Sequence, residues 1–363
     1  MKKLIALVLA IALIATMLCA CGAKPAAADG AAAPAADAKT IGILMPTKEQ
    51  TIWSIQGDRL IDSFTKAGYK TEIEYAEDDS AKQAMQIENM ITKGVDAMVI
   101  VAVDCAALTD ACEKAKAAGI YVISEDRLIT NTEAVDYYIT FDLVRMGELQ
   151  GQYIVDALDL ENQAGPFTLE IFSGSQDDTN ATFFYDGAMN KLKPYIDNGK
   201  LVVKSGQVGY TESAIQSWDS SKAQSRMDNL LSGFYADGHL DAVLVAADCL
   251  AIGVISSLES MGYGTDANPF PIITGQDAEL AAVKNIKAGK QSMTAFLDAG
   301  ALCDIIVPVV NDVFAGKEPA ATTSYDNGVK EVPASTYDPY LIDKDNVQHL
   351  VDVGFYTDAE VNG

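Results

Sequence analysis

Histidine is almost missing from this chain. His239 and His349 are the only two, and neither falls in a metal-ligand or triad pattern, which removes the commonest general base from most catalytic schemes. Basic charge is short as well: Lys and Arg number 26 against 51 Asp and Glu, a formal net charge of −25. Setting Lys2 and Lys3 aside leaves 24 basic against 51 acidic residues, or −27. A surface this acidic repels phosphate backbones, so nucleic acid is not expected as a partner. Cysteine provides no framework. Beyond Cys19 and Cys21 there are Cys105, Cys112, Cys249 and Cys303, spaced like neither a zinc ribbon nor a redox pair. Buried free thiols are expected, with a Cys105–Cys112 disulfide as the alternative. No metal and no cofactor is expected. Long apolar runs are absent apart from Leu4 to Leu18, which is shorter than the roughly 20 residues that span a bilayer.

What is present at the N-terminus decides the compartment. Met1, Lys2 and Lys3 precede that apolar run, and Leu18-Cys19-Ala20-Cys21-Gly22 follows it, the layout of an export signal with small residues at its cleavage point. The spacing of Leu18 and Ala20 before Cys21 resembles the bacterial lipobox, which implies cleavage before Cys21 and attachment of lipid to its sulfur. Cys19 fits less well, because Met17 and Leu18 precede it instead of small residues. A plain cleaved signal peptide is the alternative. Ala26 to Ala38 has almost no bulky apolar side chains and is interrupted by Gly30 and Pro34; such a segment cannot bury a core and reads as a tether. Residues 1–21 are thus expected to be a lipoprotein signal and 22–39 an alanine-rich tether, placing the protein outside the cytoplasm on the cell membrane.

The remaining length exceeds the usual single core and predicts two lobes. Thr40 to Trp53, TIGILMPTKEQTIW, sets their pattern. Ile41 to Met45 is a continuous apolar run, as in a strand buried on both faces of a parallel sheet, and it breaks at Pro46 into Thr47, Lys48, Glu49 and Gln50, with Trp53 behind them. Helices are expected over Ile55 to Ala67, Ala81 to Thr92 and Thr109 to Ala118. Strands are expected at Thr71 to Tyr75, Ala97 to Val103, Tyr121 to Ser124 and Tyr137 to Phe141. A second series alternates in the same way from Met146 to Phe314, and Asp326-Asn327-Gly328 signals a hairpin. This βαβα repetition predicts an α/β protein of two similar, doubly wound parallel-sheet lobes with a ligand cleft between them.

Ligands of open α/β sheets sit beyond the carboxyl ends of the strands, and there the polar residues collect. Asp126 and Arg127 follow the fourth strand and Asp142 follows the fifth; Ser173 to Asn180 follows Phe172. Trp218 and Asp219 precede a helix, Asp248 follows Ala242 to Ala247, and Gly275-Gln276-Asp277 follows Ile272 to Thr274. Carboxylates, amides and a guanidinium beside aromatic rings suit a monosaccharide, whose hydroxyls need donors and acceptors in fixed geometry and whose C–H face needs a flat apolar surface. Trp53 and Trp218, the only tryptophans, fall in expected lobe-edge loops and either cover the sugar or plug a core edge. Asp126-Arg127 could equally be a structural ion pair. Asp142, Asn180, Asp248 and Asp277 could each be helix caps, and Lys48 a solvated charge.

Several segments together resemble the type I, sugar-specific periplasmic binding proteins, nearest the multiple-monosaccharide and xylose-binding members that serve ABC importers. They are Met45-Pro46-Thr47-Lys48, Gln86-Ile87-Glu88-Asn89-Met90-Ile91, Asp126-Arg127-Leu128, Phe141-Asp142, Asn180-Ala181, Phe184 to Met189, Lys193-Pro194-Tyr195 and Gly275-Gln276-Asp277-Ala278. The resemblance runs from about Lys39 nearly to the end. It implies that Trp53 and Trp218 stack on the sugar, that Asp126, Arg127, Asn180 and Asp277 bond its hydroxyls, and that Lys48, Asp142, Asp248 and Gln276 lie on or just behind it. Three positions depart: Ile52 and Leu297 stand where relatives carry cations or an amide, and Ala247 where many have asparagine. A neutral or deoxygenated monosaccharide is therefore expected over a sugar acid.

The lobes are expected to comprise 40–142 plus 276–297 and 143–275 plus 298–345, with 346–363 a tail and hinge crossings near Asp142 to Val144, Thr274 to Gln276 and Leu297 to Asp298. The expected mechanism is capture by a monomer and delivery to an ABC permease, with a membrane sugar sensor as a further partner and no turnover. A receptor acting mainly in chemotaxis or signalling is one alternative, and an extracellular glycosidase using a carboxylate pair is another. A sugar-responsive repressor would need a helix-turn-helix where this chain carries its leader.

Overall fold

The computed structural model describes residues 37–363 apart from residue 237; the expected leader with Cys19 and Cys21, and most of the tether, lie outside the described residues. The chain runs β1 (Thr40–Met45), α1 (Thr51–Lys66), β2 (Lys70–Tyr75), α2 (Ser80–Lys93), β3 (Ala97–Ile100), α3 (Thr109–Ala117), β4 (Tyr121–Glu125) and β5 (Tyr137–Phe141). A second series follows: α4 (Leu143–Ala157), β6 (Phe167–Phe172), α5 (Asn180–Asp197), β7 (Leu201–Val202), α6 (Tyr210–Ser213), α7 (Ser220–Phe234), β8 (Ala242–Val245), α8 (Asp248–Ser260), β9 (Ile272–Ile273), α9 (Leu280–Lys287) and β10 (Met293–Phe296). The chain ends with α10 (Ala299–Phe314), β11 (Thr323–Asp326), β12 (Glu331–Tyr337), β13 (Tyr340–Asp343), α11 (His349–Asp352) and α12 (Asp358–Asn362).

Among the described residues the strands form two main sheets, parallel apart from β11, and β10 pairs antiparallel with β13. The first has the order β11-β12-β5-β4-β3-β1-β2, and the second the order β7-β6-β8-β9. Every residue of β3 and β5 is buried, as continuous apolar runs require when helices cover both faces. On one face α1 and α10 close a core of Ile41, Ile43, Leu60, Phe64, Leu302 and Ile306; on the other, Ile87, Met90, Met98 and Cys112 pack under α2 and α3. Each such side chain contributes about 1.5–3 kcal/mol by leaving water. Helix ends follow local chemistry. Asp79 caps α2 by accepting from Lys82 N at 3.0 Å, and Gly94 ends it at φ 72°. In the second lobe α4 and α5 pack closely, with Gly147 so near that an added Cβ would lie 1.9 Å from Phe184 O. That contact fixes the helix bearing Asn180 and Phe184.

The lobe boundaries differ from expectation. β12 pairs in parallel with β5, Ala334 opposite Tyr138, so 323–337 belongs to the first sheet, and α10 packs on that side too. β10 instead lies beside the second sheet, where Ala295 N donates to Gly275 O at 3.0 Å and Ser292 N to Ile273 O at 2.9 Å, and it pairs antiparallel with β13. Segments 276–297 and 298–337 thus exchange places relative to the expected assignment. The chain crosses between sheets at Asp142, at Leu297 to Asp298, and between β12 and β13, not at Thr274 to Gln276. Hydrophobic alternation marks a strand but not which of two equivalent sheets it joins. One further expectation changes. Trp53 sits in the first turn of α1, not in a loop. β13 and the short helices of the tail gave no periodic signal. The hairpin at Asp326-Asn327-Gly328 forms as expected, with β11 antiparallel to β12. Cys105, Cys112, Cys249 and Cys303 are free thiols.

Candidate functional site

Six strand-end or helix-start segments bring side chains to one cavity, lined by Gln50, Trp53, Asp126, Arg127, Asp178, Asn180, Phe184, Trp218, Ala247, Cys249, Gln276 and Asp277. The first lobe supplies Gln50 and Trp53 after β1 and Asp126 and Arg127 after β4. The second lobe supplies the rest, after β6, before α7, and after β8 and β9.

The first-lobe wall is densely bonded. Trp53 is buried and its Nε1 donates to Gln50 Oε1 at 3.0 Å. The Arg127 guanidinium lies 5.4 Å from the Trp53 ring centroid, and its Nη1 donates to Ala102 O at 3.0 Å. Asp126 takes φ 58°, a left-handed conformation that a non-glycine residue holds only when its surroundings over-determine it. Here they do: Asp126 N donates to Ile139 O at 2.8 Å, while Asp126 O accepts from Tyr138 Oη at 2.7 Å and Asn180 Nδ2 at 2.8 Å.

The second-lobe wall carries more open valences. Ser217 and Trp218 stand at φ 62° and 53°, and Asp277 and Ala278 at 93° and 51°. Gly174 lets the indole in, since an added Cβ would lie 2.2 Å from Trp218 Cη2. Trp218 Nε1, Gln276 Oε1 and Arg127 Nε are buried without a hydrogen-bond partner, although Arg127 Nε lies 3.0 Å from Asp178 Oδ2; that contact is an ion pair without linear hydrogen-bond geometry. Buried polar atoms are normally satisfied, so Trp218 Nε1 and Gln276 Oε1, open beside a single cavity, point to a polar ligand.

Burial sets the charge states. It pushes Asp126 up to about 7, with Arg127 opposing and Asp178 and Asp277 adding to the rise. Burial also carries Asp277 to about 7, with the Glu279 charge next, and Glu279 itself to about 7. For Arg127, burial works against the charge, but Asp178 and Asp126 outweigh it and hold its pKa above the usual value. Carboxyls poised in this way accept from a hydroxyl when ionised and donate when protonated.

Of the ten expected ligand-binding residues, Trp53, Asp126, Arg127, Asn180, Trp218, Gln276 and Asp277 line the cavity. Lys48 does not; it is exposed, with Nζ 4.6 Å from the Tyr75 ring centroid. Asp142 is the exposed N-cap of α4, accepting from Arg145 N at 2.8 Å. Asp248 lies behind the wall, fully buried, where its carboxylate accepts from Gln291 Nε2 at 2.7 Å, Thr294 Oγ1 at 2.8 Å and Glu279 N at 2.9 Å, and so steadies the Asp277 loop. Asn180 and Asp277 are not caps, and Arg127 forms its ion pair with Asp178 rather than with Asp126. Of Ile52, Ala247 and Leu297, only Ala247 reaches the cavity; the other two are core residues.

Gln50, Asp178, Phe184 and Cys249 were not selected from the sequence. Gln50 and Asp178 lie in strand-end loops that were already suspect, and Phe184 falls one helical turn after Asn180, on the same face. Among the described residues no group of His, Cys, Asp and Glu is arranged to hold a metal ion, and no helix is long and apolar enough to cross a membrane.

Residues 41–318 match the family model described as a periplasmic binding protein domain. The chain is 50% identical over 325 residues to the multiple sugar-binding periplasmic receptor ChvE of Rhizobium radiobacter, covering 89% of this chain and 92% of that one. It is 49% identical over 328 residues to the multiple sugar-binding periplasmic protein SbpA of Azospirillum brasilense, covering 90% and 92%. A solved ABC transporter solute binding protein from Clostridium phytofermentans with bound β-D-glucose superposes with a TM-score of 0.85 at 43% identity, covering 89% of this chain and 100% of that one.

Proposed function

The chain belongs to the type I periplasmic binding protein family, and from that premise we propose that it is an exported receptor that captures a neutral monosaccharide between its lobes and delivers it to an ABC permease. It is a binding protein and not an enzyme, as its relatives are receptors. The single observation that carries the reading is the convergence of two indoles from opposite lobes with Asp126, Arg127, Gln276 and Asp277 on one cavity. The tryptophans cover the sugar's C–H faces, and Arg127, Asp126 and Asp277 take its hydroxyls. Contacts to both lobes favour the closed arrangement, whose outer surface a permease can read. Among the cavity-lining residues Arg127 is the one cation, beside three aspartates, which disfavours a carboxylate on the ligand. Lipid on Cys21 holds the receptor at the membrane.

A thermal-shift panel of D-glucose, D-galactose, D-xylose and D-galacturonate tests this. The expected result is saturable stabilisation by a neutral hexose or pentose and weaker stabilisation by galacturonate. No response to any sugar, or tightest binding of galacturonate, overturns it.

A further inference from the structure

We propose that Asp178 and Asn180, on one turn of the second lobe, clamp Asp126 and Arg127 of the first and so supply closure energy that does not depend on which ligand is bound. Arg127 Nε lies 3.0 Å from Asp178 Oδ2. Asn180 Nδ2 donates to Asp126 O at 2.8 Å and to Asp126 Oδ1 at 3.1 Å, and Tyr138 Oη, whose hydrogen goes to Asp126 O at 2.7 Å, lies 3.4 Å from Asn180 Oδ1. The Asn180 amide nitrogen thus reaches two oxygens of Asp126 across the cleft. The remaining Asp178 oxygen accepts from Asn180 N at 2.9 Å, which ties the two halves of the clamp into one unit. Asp178, Asn180, Asp126 and Arg127 are each less than 10% exposed. Opening the lobes breaks a buried ion pair and a doubly used amide at once.

Both partners of every bond are protein groups, so the clamp sets the fraction of receptor that is closed, and apparent affinity scales with that fraction for every sugar alike. Asp178 is thus a positioning residue: it aims Arg127 and holds the lobes. The affinity arm of the test rests on the sugar-receptor reading; the shape arm does not.

The mature chain and its Asp178→Asn variant are compared by small-angle X-ray scattering without sugar and by calorimetry with three sugars. The clamp predicts a larger radius of gyration for the variant and a Kd raised by the same factor, on the order of tenfold, for all three. An unchanged radius, or a loss confined to one sugar, overturns it. Asn180→Ala, which removes the other half of the clamp, serves in the same way should Asp178→Asn not fold. If neither protein binds sugar while the variant is still expanded, the clamp stands and the sugar reading fails.

Discussion

The two tryptophans of the cavity are built in opposite ways. Trp53 belongs to a helix, is 6% exposed, spends its Nε1 on Gln50 and lies under the Arg127 guanidinium. Trp218 ends a 3-10 turn at φ 53°, is half-buried, and has an Nε1 with no partner. One wall is finished by the fold itself; the other is held in a strained loop with its hydrogen-bonding capacity in reserve. The strain at Ser217, Trp218, Asp277 and Ala278 and the open atoms of Trp218 and Gln276 suit a wall that the ligand completes.

Substituting the tryptophans separately gives the largest effect and tests that contrast directly. Trp53→Ala removes a core side chain, so urea unfolding should show a loss of about 3 kcal/mol together with weakened sugar binding. Trp218→Ala should weaken binding by on the order of 100-fold, about 2.7 kcal/mol, while the sugar-free protein keeps its stability within about 1 kcal/mol. Equal stability losses for the two variants would erase the distinction. A smaller effect is expected from Gly174→Ala, whose methyl carbon meets the edge of the Trp218 indole. The predicted outcome is an affinity loss of about tenfold, or roughly 1.4 kcal/mol, in calorimetry, with Trp53 emission unchanged.

The smallest effect is on pH dependence. Asp126, Asp277 and Glu279 keep their protons in the folded state up to about 7, whereas in the unfolded chain they release them near the ordinary carboxylate value. The folded state therefore binds more protons across that window, and stability falls as pH rises through it. The Tm of the sugar-free protein should decline from pH 5 to pH 8, and Asp277→Asn should flatten the decline. A Tm that rises over this range would contradict the buried, crowded state of these carboxyls.

Much of the fold was legible because continuous apolar runs and glycine-ended helices signal a parallel sheet through local spacing alone. The assignment of β10 and β12 was not legible, because both lobes use the same pattern and only pairing distinguishes them. Within the site, strand-end position found Asp126, Arg127 and Asp277. The same rule over-selected Asp142 and Asp248, since a carboxylate after a strand can equally cap the next helix or brace a neighbouring loop. Asp178 escaped selection because its partner, Arg127, lies 51 residues away in the other lobe.

A sugar held in this cleft lies against indoles from both lobes. A D-glucose titration of Trp53→Phe, where Trp218 is the sole tryptophan, is followed by fluorescence and calorimetry on the same sample. A saturable change in Trp218 emission tracking the calorimetric curve is predicted. Heat of binding with Trp218 emission unmoved would place the sugar elsewhere.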